Sequence, residues 1–260
     1  MSNSAEQFDR VAAAYATSGV HARGTDLGML AEMLHPHPEG RVLDLGTGAG
    51  HAALAVAPLV GHVYAVDISE RMLATAARLA TERLVTNISF HPLAVEDVST
   101  LAPALTAGGA KVLLDGAFTR YSAHHWSDPL AALGGTVALL RPGAPFVLID
   151  TVSPESPTLD TILNALELLR DPSHARNARI GEWRARLQAV GFTVEAVHTW
   201  QIELDTEEWL TRSATEAWRA DACRLLLRQA PGAARETFAI AAGGAAFSLP
   251  VALLLARRPA

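Results

Sequence analysis

The chain has 260 residues, half of them hydrophobic and 18% charged, which is material for one large globular domain or two small ones and too apolar for a disordered chain. Twenty-one Lys and Arg against 27 Asp and Glu leave a net charge of −6 at pH 7 with no basic tract, and this argues against a nucleic-acid partner, whose phosphates need neutralising. The single cysteine, Cys223, excludes an intrachain disulfide and a cysteine-based metal site and suits a cytoplasmic location. Met1 to Glu6 lacks the basic and apolar parts of a secretory leader, and the longest apolar stretch, Val251 to Ala256, is far short of the roughly 18 residues of a membrane span.

Residues 1–38 read as a helical cap, with helices around Phe8 to Tyr15 and Leu27 to Leu34 before Pro36 and Pro38. From 39 to 150 short apolar runs alternate with longer amphipathic ones, the rhythm of parallel βαβ units. Val42–Leu45 and Val63–Val66 read as strands buried on both faces, Ile88–Leu93 as an edge strand carrying Pro92, Val112–Phe118 as the fourth and Pro145–Ile149 as the fifth. Between them, helices are expected from Gly50 to Leu59, after the N-cap Ser69, and from Asp128-Pro129 to Leu140. Residues 151–260 add an insertion to 180, a helix from Glu182 to Val190 stopped by Gly191, and a strand from Thr193 to Trp200. Helix starts at Asp205 and Ser213 and a last strand from Val251 to Arg257 complete the chain. Pro250 is an awkward residue inside a sheet, so the regular ladder is expected to begin at Val251. The whole reads as a single domain around one sheet.

The segment Leu43-Asp44-Leu45-Gly46-Thr47-Gly48-Ala49-Gly50 delivers a strand through three glycines to a helix start, and Asp67 closes the second strand. Such a turn lets backbone approach a ligand closely, and the later carboxylate suits ribose hydroxyls. A dinucleotide fingerprint needs its third glycine at position 51, which is His51. Asp44, just below the loop, would repel a pyrophosphate and attract an ammonium. S-adenosylmethionine, with an ammonium, a sulfonium and no phosphate, fits this pattern better, and an NAD(P) oxidoreductase is the weaker alternative.

Taken with Ala65-Val66-Asp67-Ile68-Ser69, Arg120-Tyr121-Ser122-Ala123-His124-His125-Trp126 and Leu139-Leu140-Arg141-Pro142-Gly143, the chain resembles the class I S-adenosylmethionine-dependent methyltransferases over about residues 5–200. The resemblance is to the small-molecule branch that includes the ubiquinone and menaquinone C-methyltransferases. It implies an α/β fold of the Rossmann-like methyltransferase type, with seven strands, mostly parallel, the last antiparallel. It also implies S-adenosylmethionine as cofactor, S-adenosylhomocysteine as product and a small-molecule acceptor. Cofactor contacts are expected from Asp44, Gly46, Thr47, Gly48, Gly50, Asp67, Ile68, Met72, Arg120 and, from the cap, Tyr15. One departure stands out. Where the family carries an acid for the adenine amino group, this chain has Ala94-Val95 followed by Glu96-Asp97. The Val95 backbone N–H with Glu96 nearby is the expected substitute, and a plain helix N-terminus is the other reading of the two acids.

For catalysis the exit of the fourth strand offers His124, His125 and Arg120, with His124 first as base. Arg170, Asp171, His174 and Arg176 in the insertion form a second polar group, to be read either as substrate contacts or as a solvated loop. Trp200, Trp209 and Trp218 are expected to pack in a core rather than line a pocket. No metal-ligand spacing is present in the sequence, and the apolar C-terminal region offers a surface for a homodimer. A protein of this fold that binds S-adenosylmethionine but catalyses a non-methyl reaction, such as a cyclisation, is the alternative within the same family.

Overall fold

A computed structural model describes residues 5–10, 24–107 and 110–260. Its main sheet holds β1 (Arg41–Leu45), β2 (His62–Asp67), β3 (Ile88–Pro92), β4 (Gly116–Arg120), β5 (Pro145–Thr151), β6 (Thr193–Asp205) and β7 (Ala246–Arg257) in the order β3-β2-β1-β4-β5-β7-β6, and Thr106–Ala107 pairs with Ala110–Lys111 in a separate small ribbon. Strands β1 to β5 are mutually parallel, and β7 runs antiparallel between β5 and β6. This is the expected Rossmann-like methyltransferase arrangement, with β3 and its Pro92 on the edge where a missing N–H does no harm.

The central strands are buried on both faces, as their continuous apolar runs require. Successive residues of β5 serve opposite cores: Phe146 and Leu148 pack with Leu43, Leu133 and Trp183, while Val147 and Ile149 pack with Val42, Val63 and Phe118. Helices α1 (Asp26–Leu34), α2 (His51–Val56), α3 (Glu70–Glu82), α4 (Pro129–Leu139), α5 (Pro157–Arg170) and α6 (Ile180–Ala189) cover these faces. Ser69 caps α3 by accepting from the Met72 N–H, and Asp128 caps α4 in the same way from Leu130 and Ala131. A third core joins α5 to α7 (Thr206–Arg212) and α8 (Ala217–Arg228) around Trp209, Cys223 and Phe247. No helix among the described residues is long and apolar enough to cross a membrane.

Several boundaries differ from the sequence expectation. Strand β4 begins at Gly116 rather than Val112, because the carboxylate of Asp115 turns back to the Arg41 N–H and to Arg141 Nε, and pairing with β1 starts only at Gly116 opposite Val42. It then runs to Arg120. The stretch after Trp200, Gln201-Ile202-Glu203-Leu204, alternates and stays in strand, so β6 and β7 continue past the end of β5 as a two-stranded extension. Pro250 lies inside β7, but on the β5 side its pairing ends: its carbonyl accepts from Val152 N–H, and the reciprocal donor is the one a proline lacks. The insertion holds the fourteen-residue helix α5. Asp205 caps α7 through the Glu208 N–H as expected, whereas Ser213 is the C-cap of α7 and the next helix starts from Glu216 without a side-chain cap.

Helix α1 is fixed to the sheet by a buried ion pair, in which Arg120 Nε and Nη2 donate to the two carboxylate oxygens of Asp26 at 2.6 and 3.0 Å. Removing one partner of such a pair strands a charge away from water. Asp26→Ala should therefore cost about 3 kcal/mol in urea denaturation, while the apolar double substitution D26L/R120M should recover most of it. Equal stability of D26A and wild type would mean that the pair does not hold the cap.

Candidate active site

Strand β1 ends beneath the glycine loop with Asp44 almost fully buried, and β2 ends beside it with Asp67. Thr47 Oγ donates to Asp44 Oδ2 at 2.7 Å, and the N–H groups of Gly48 and Ser69 donate to the two oxygens of Asp67 at 2.8 and 2.9 Å. Burial pushes the Asp44 carboxyl up to about 7, opposed by the Thr47 hydrogen bond and aided by the neighbouring Asp67. Burial likewise raises Asp67 to about 6 in spite of its backbone donors. Two carboxylates thus share a cleft whose own donors do not fully compensate them.

The loop glycines have separate reasons. Gly46 has φ +67°, and a Cβ there would stand 1.8 Å from Ser122 Oγ, on the turn after β4. Gly48 has φ +54° and nothing within 4 Å of a Cβ, so its missing side chain leaves open space at the cleft itself. Gly50 ends the loop and Met72 lies buried beneath it with Ala49.

The cleft has two lobes that share Gly46, Asp67, Ser122, His125 and Phe8. One, of about 600 Å³, holds Asp44, Thr47, Gly48, Met72 and Arg120. The other, of about 520 Å³, holds Ile68, Val95 and Glu96. Glu96 Oε1 accepts from the Ser127 N–H and hydroxyl at 2.8 Å, which braces the turn before α4, and it also sits in the first turn of a 3-10 segment from Val95 to Ala104. Phe8 reaches the cleft from the N-terminal segment; Tyr15 lies outside the described residues.

The turn after β4 separates this cleft from a second chamber. Tyr121 borders both, with a left-handed φ of 52°, which is uncommon for a bulky residue and marks a constrained position. Burial and the Asp26 carboxylate hold its phenol above the ordinary tyrosine range. His124 faces the second chamber and His125 the cleft. His124 Nδ1 is 2.6 Å from Asp150 Oδ1, and its backbone N–H donates to Oδ2 at 2.9 Å. A carboxylate only accepts, so Nδ1 carries the proton and Nε2 is the basic nitrogen. Burial works against the charged form of His124, but the charge and hydrogen bond of Asp150 outweigh it and raise the pKa. His125 has no such partner: its Nδ1 meets the Ser173 carbonyl at 3.1 Å, and burial together with His124 lowers it to about 4.

The insertion residues are not a solvated loop. Arg170, Asp171 and His174 are buried, and the N–H groups of Ala175 and Arg176 donate to the His124 carbonyl, so the loop clamps the histidine turn. Arg176 itself pairs with Asp160 and Glu182. Of the three tryptophans expected in a core, Trp209 is a core residue that also lines the second chamber, Trp200 is half-buried against the core around Val147 and Ile149, and Trp218 is exposed. Sequence reasoning missed the site roles of Asp150, Asp26, Glu167 and Arg212. Asp150 had a signal: like Asp67, it is a lone acid at the carboxyl end of an apolar strand.

A family model described as a methyltransferase domain matches residues 36–206. The uncharacterized methyltransferase YcgJ of Bacillus subtilis is 34% identical over 233 residues, covering 90% of this chain and 88% of that protein. Its crystal structure superposes with a TM-score of 0.82 at 32% identity over 90% of this chain and 98% of that one. A putative methyltransferase from Bacillus halodurans gives the same TM-score at 25% identity, over 91% and 100% of the two chains. Likeness to the ubiquinone branch is weaker: the ubiquinone biosynthesis O-methyltransferase of Xanthomonas campestris is 30% identical over 43% of each chain.

The two carboxyls give a sign to the pH dependence. Their folded pKa values of about 7 and about 6 lie above the ordinary 3.8, so the stability they contribute is complete below about pH 4 and is lost as pH rises through 6 to 7. Ligand-free D44N should lose less stability between pH 5 and 8 than wild type and should melt higher at pH 8. Superimposable pH profiles of melting temperature would show that Asp44 is not under this strain.

Proposed function

The chain belongs to the methyltransferase-domain family, and on that premise we propose that it methylates a small molecule using S-adenosylmethionine, with His124 as base. The observation that carries the reading is the pair of under-compensated carboxylates around the open face of Gly48. A cationic ligand relieves that strain and a pyrophosphate worsens it, which separates this cofactor from a dinucleotide.

When bound, S-adenosylmethionine supplies an electrophilic methyl group, whose bonding pair stays with sulfur as S-adenosylhomocysteine leaves. Asp44 attracts the ammonium end. Asp67 keeps acceptor capacity beyond its two backbone donors and takes the ribose hydroxyls. Gly46, Thr47, Gly48 and Gly50 shape the approach, and Met72 supports the loop from below. Ile68 and the Val95 backbone serve the adenine lobe, with Glu96 holding its far wall through Ser127. Arg120 lines the cofactor end with its fork on Asp26, so we assign it to shaping the cleft rather than to proton transfer. His125 stays neutral, which spares the cationic cofactor a like charge beside it.

On the acceptor side His124 Nε2 receives the proton of the attacking group, and Asp150 steadies the imidazolium that results. Asp150 is a positioning residue, since it acts through His124. The negative net charge fits a small-molecule acceptor and not nucleic acid.

Calorimetry with S-adenosylhomocysteine tests the cofactor. Wild type should bind, and Asp67→Ala should bind at least about 10-fold more weakly, the order expected for loss of a charge-assisted bond. Tight NADH binding with no S-adenosylhomocysteine binding would replace the assignment by a dehydrogenase. His124→Gln should lower kcat by about 10² to 10⁴ with S-adenosylhomocysteine affinity unchanged. Because the base must be neutral, kcat should rise with pH through the raised His124 pKa. D150N should move that limb to lower pH, and an unmoved limb would assign the titration to another group.

A further inference from the structure

The loop after α5 reaches the histidine turn and fixes the ring of His125. Ser173 donates its hydroxyl and its N–H to Asp171 Oδ1 at 2.7 and 2.8 Å, so the hydroxyl oxygen is left to accept. His125 Nδ1 lies 3.1 Å from the Ser173 carbonyl and 3.2 Å from that oxygen. Both neighbours accept, so Nδ1 carries the ring proton and Nε2 keeps a bare lone pair. In this tautomer the neutral imidazole is a dipole with its negative end at Nε2. The adjoining rings are engaged elsewhere: His124 donates from Nδ1 to Asp150, and His174 donates from Nε2 to Asn164 Oδ1 at 3.1 Å.

His125 lines both lobes of the cleft, at the waist they share with Gly46, Asp67, Ser122 and Phe8. It meets Phe8 edge-on, with ring centroids 4.8 Å apart and planes at 88°. S-adenosylmethionine carries its ammonium end, sulfonium, ribose and adenine in that order along the molecule. On the methyltransferase reading, on which this inference rests, Asp44 holds the ammonium in one lobe and the adenine fills the other, so sulfonium and ribose fall at the waist. Asp67 takes the ribose, and the sulfonium comes beside His125 and Phe8.

We propose that His125 is a cofactor-selecting residue: its Nε2 lone pair, set by the Asp171–Ser173 loop, lies alongside the sulfonium and makes the cleft prefer S-adenosylmethionine to its uncharged thioether product. Contacts to the ammonium and the ribose cannot supply that preference, because both molecules carry those groups. A lone pair beside a cation in a partly desolvated cleft can, and the attraction lapses once the methyl has left and sulfur is neutral. The lone pair lies to the side of the sulfur, since a nitrogen in line with the methyl would itself be methylated.

Calorimetry with S-adenosylmethionine and S-adenosylhomocysteine on the whole chain tests the proposal. Wild type should bind the sulfonium more tightly. H125L should lose at least about five-fold of that preference while keeping S-adenosylhomocysteine affinity within about two-fold, and H125Q, whose amide oxygen can replace the acceptor, should keep most of it. The same comparison in an H124Q background excludes a change in the charge of His124 as the cause. Ring-nitrogen NMR of wild type should show His125 protonated on Nδ1, with Nε2 shifting more on addition of S-adenosylmethionine than of S-adenosylhomocysteine; this decides the matter even where H125L does not fold. Equal weakening of both ligands in H125L, a preference that survives H125L, or a ring protonated on Nε2 would each overturn the proposal, as would a methyl group found on His125 after incubation with S-adenosylmethionine. Failure of both ligands to bind wild type would instead sink the cofactor reading.

Discussion

The carboxylates at the carboxyl edge of the sheet govern the rest of the site. A parallel sheet packed on both faces offers little solvation at its strand ends, so each acid placed there must find a partner or carry a raised pKa. Three strands end this way, with Asp44 on β1, Asp67 on β2 and Asp150 on β5. Backbone N–H groups and one hydroxyl reach the first two and leave them under-compensated. Asp150 has an internal answer in both nitrogens of His124, backbone and ring. The two strand ends left under-compensated lie at the cleft, and the one that supplies its own partner lies at the second chamber.

The turn after β4 joins the two sides. Ser122 fills the space that a side chain at position 46 would need, Trp126 Nε1 donates to Ser122, and Glu96 holds Ser127. A shift in this turn would therefore disturb the glycine loop and the lobe lined by Ile68 and Val95 together. Tyr121, in its left-handed conformation, sends its ring between cleft and chamber while its N–H continues the ladder to the Ile149 carbonyl. The backbone strain is local, and the sheet on both sides holds it in place.

Much of the fold was legible because its signals are local. Unbroken apolar runs mark β1, β2 and β5, Ser69 and Asp128 announce their helices, and the spacing of Gly46, Gly48 and Gly50 after Asp44 marks the loop. What stayed hidden depends on distant parts of the chain. Asp26 reads as an ordinary first-turn acid until β4 brings Arg120 against it, 94 residues away. Glu167 and Arg212 carry no local signal, and Arg170, which the sequence marks only as part of the insertion's polar group, joins them in a chamber lining only because β6 and β7 outrun β5. The long β6 was readable in principle, since Gln201 to Leu204 alternates, but Trp200 looks like a natural end to a short strand.

His124 and His125 show how finely this arrangement divides the two sides. They are sequence neighbours with ring centroids 4.1 Å apart, and burial disfavours the charged form of both. Only His124 has a carboxylate in hydrogen-bond contact, so its pKa rises while that of His125 falls, and each charge that settles on His124 pushes His125 further toward neutrality. Proton uptake is thereby confined to the chamber face of the pair. The cleft face of the pair stays uncharged, a separation that two histidines with equal surroundings would not maintain.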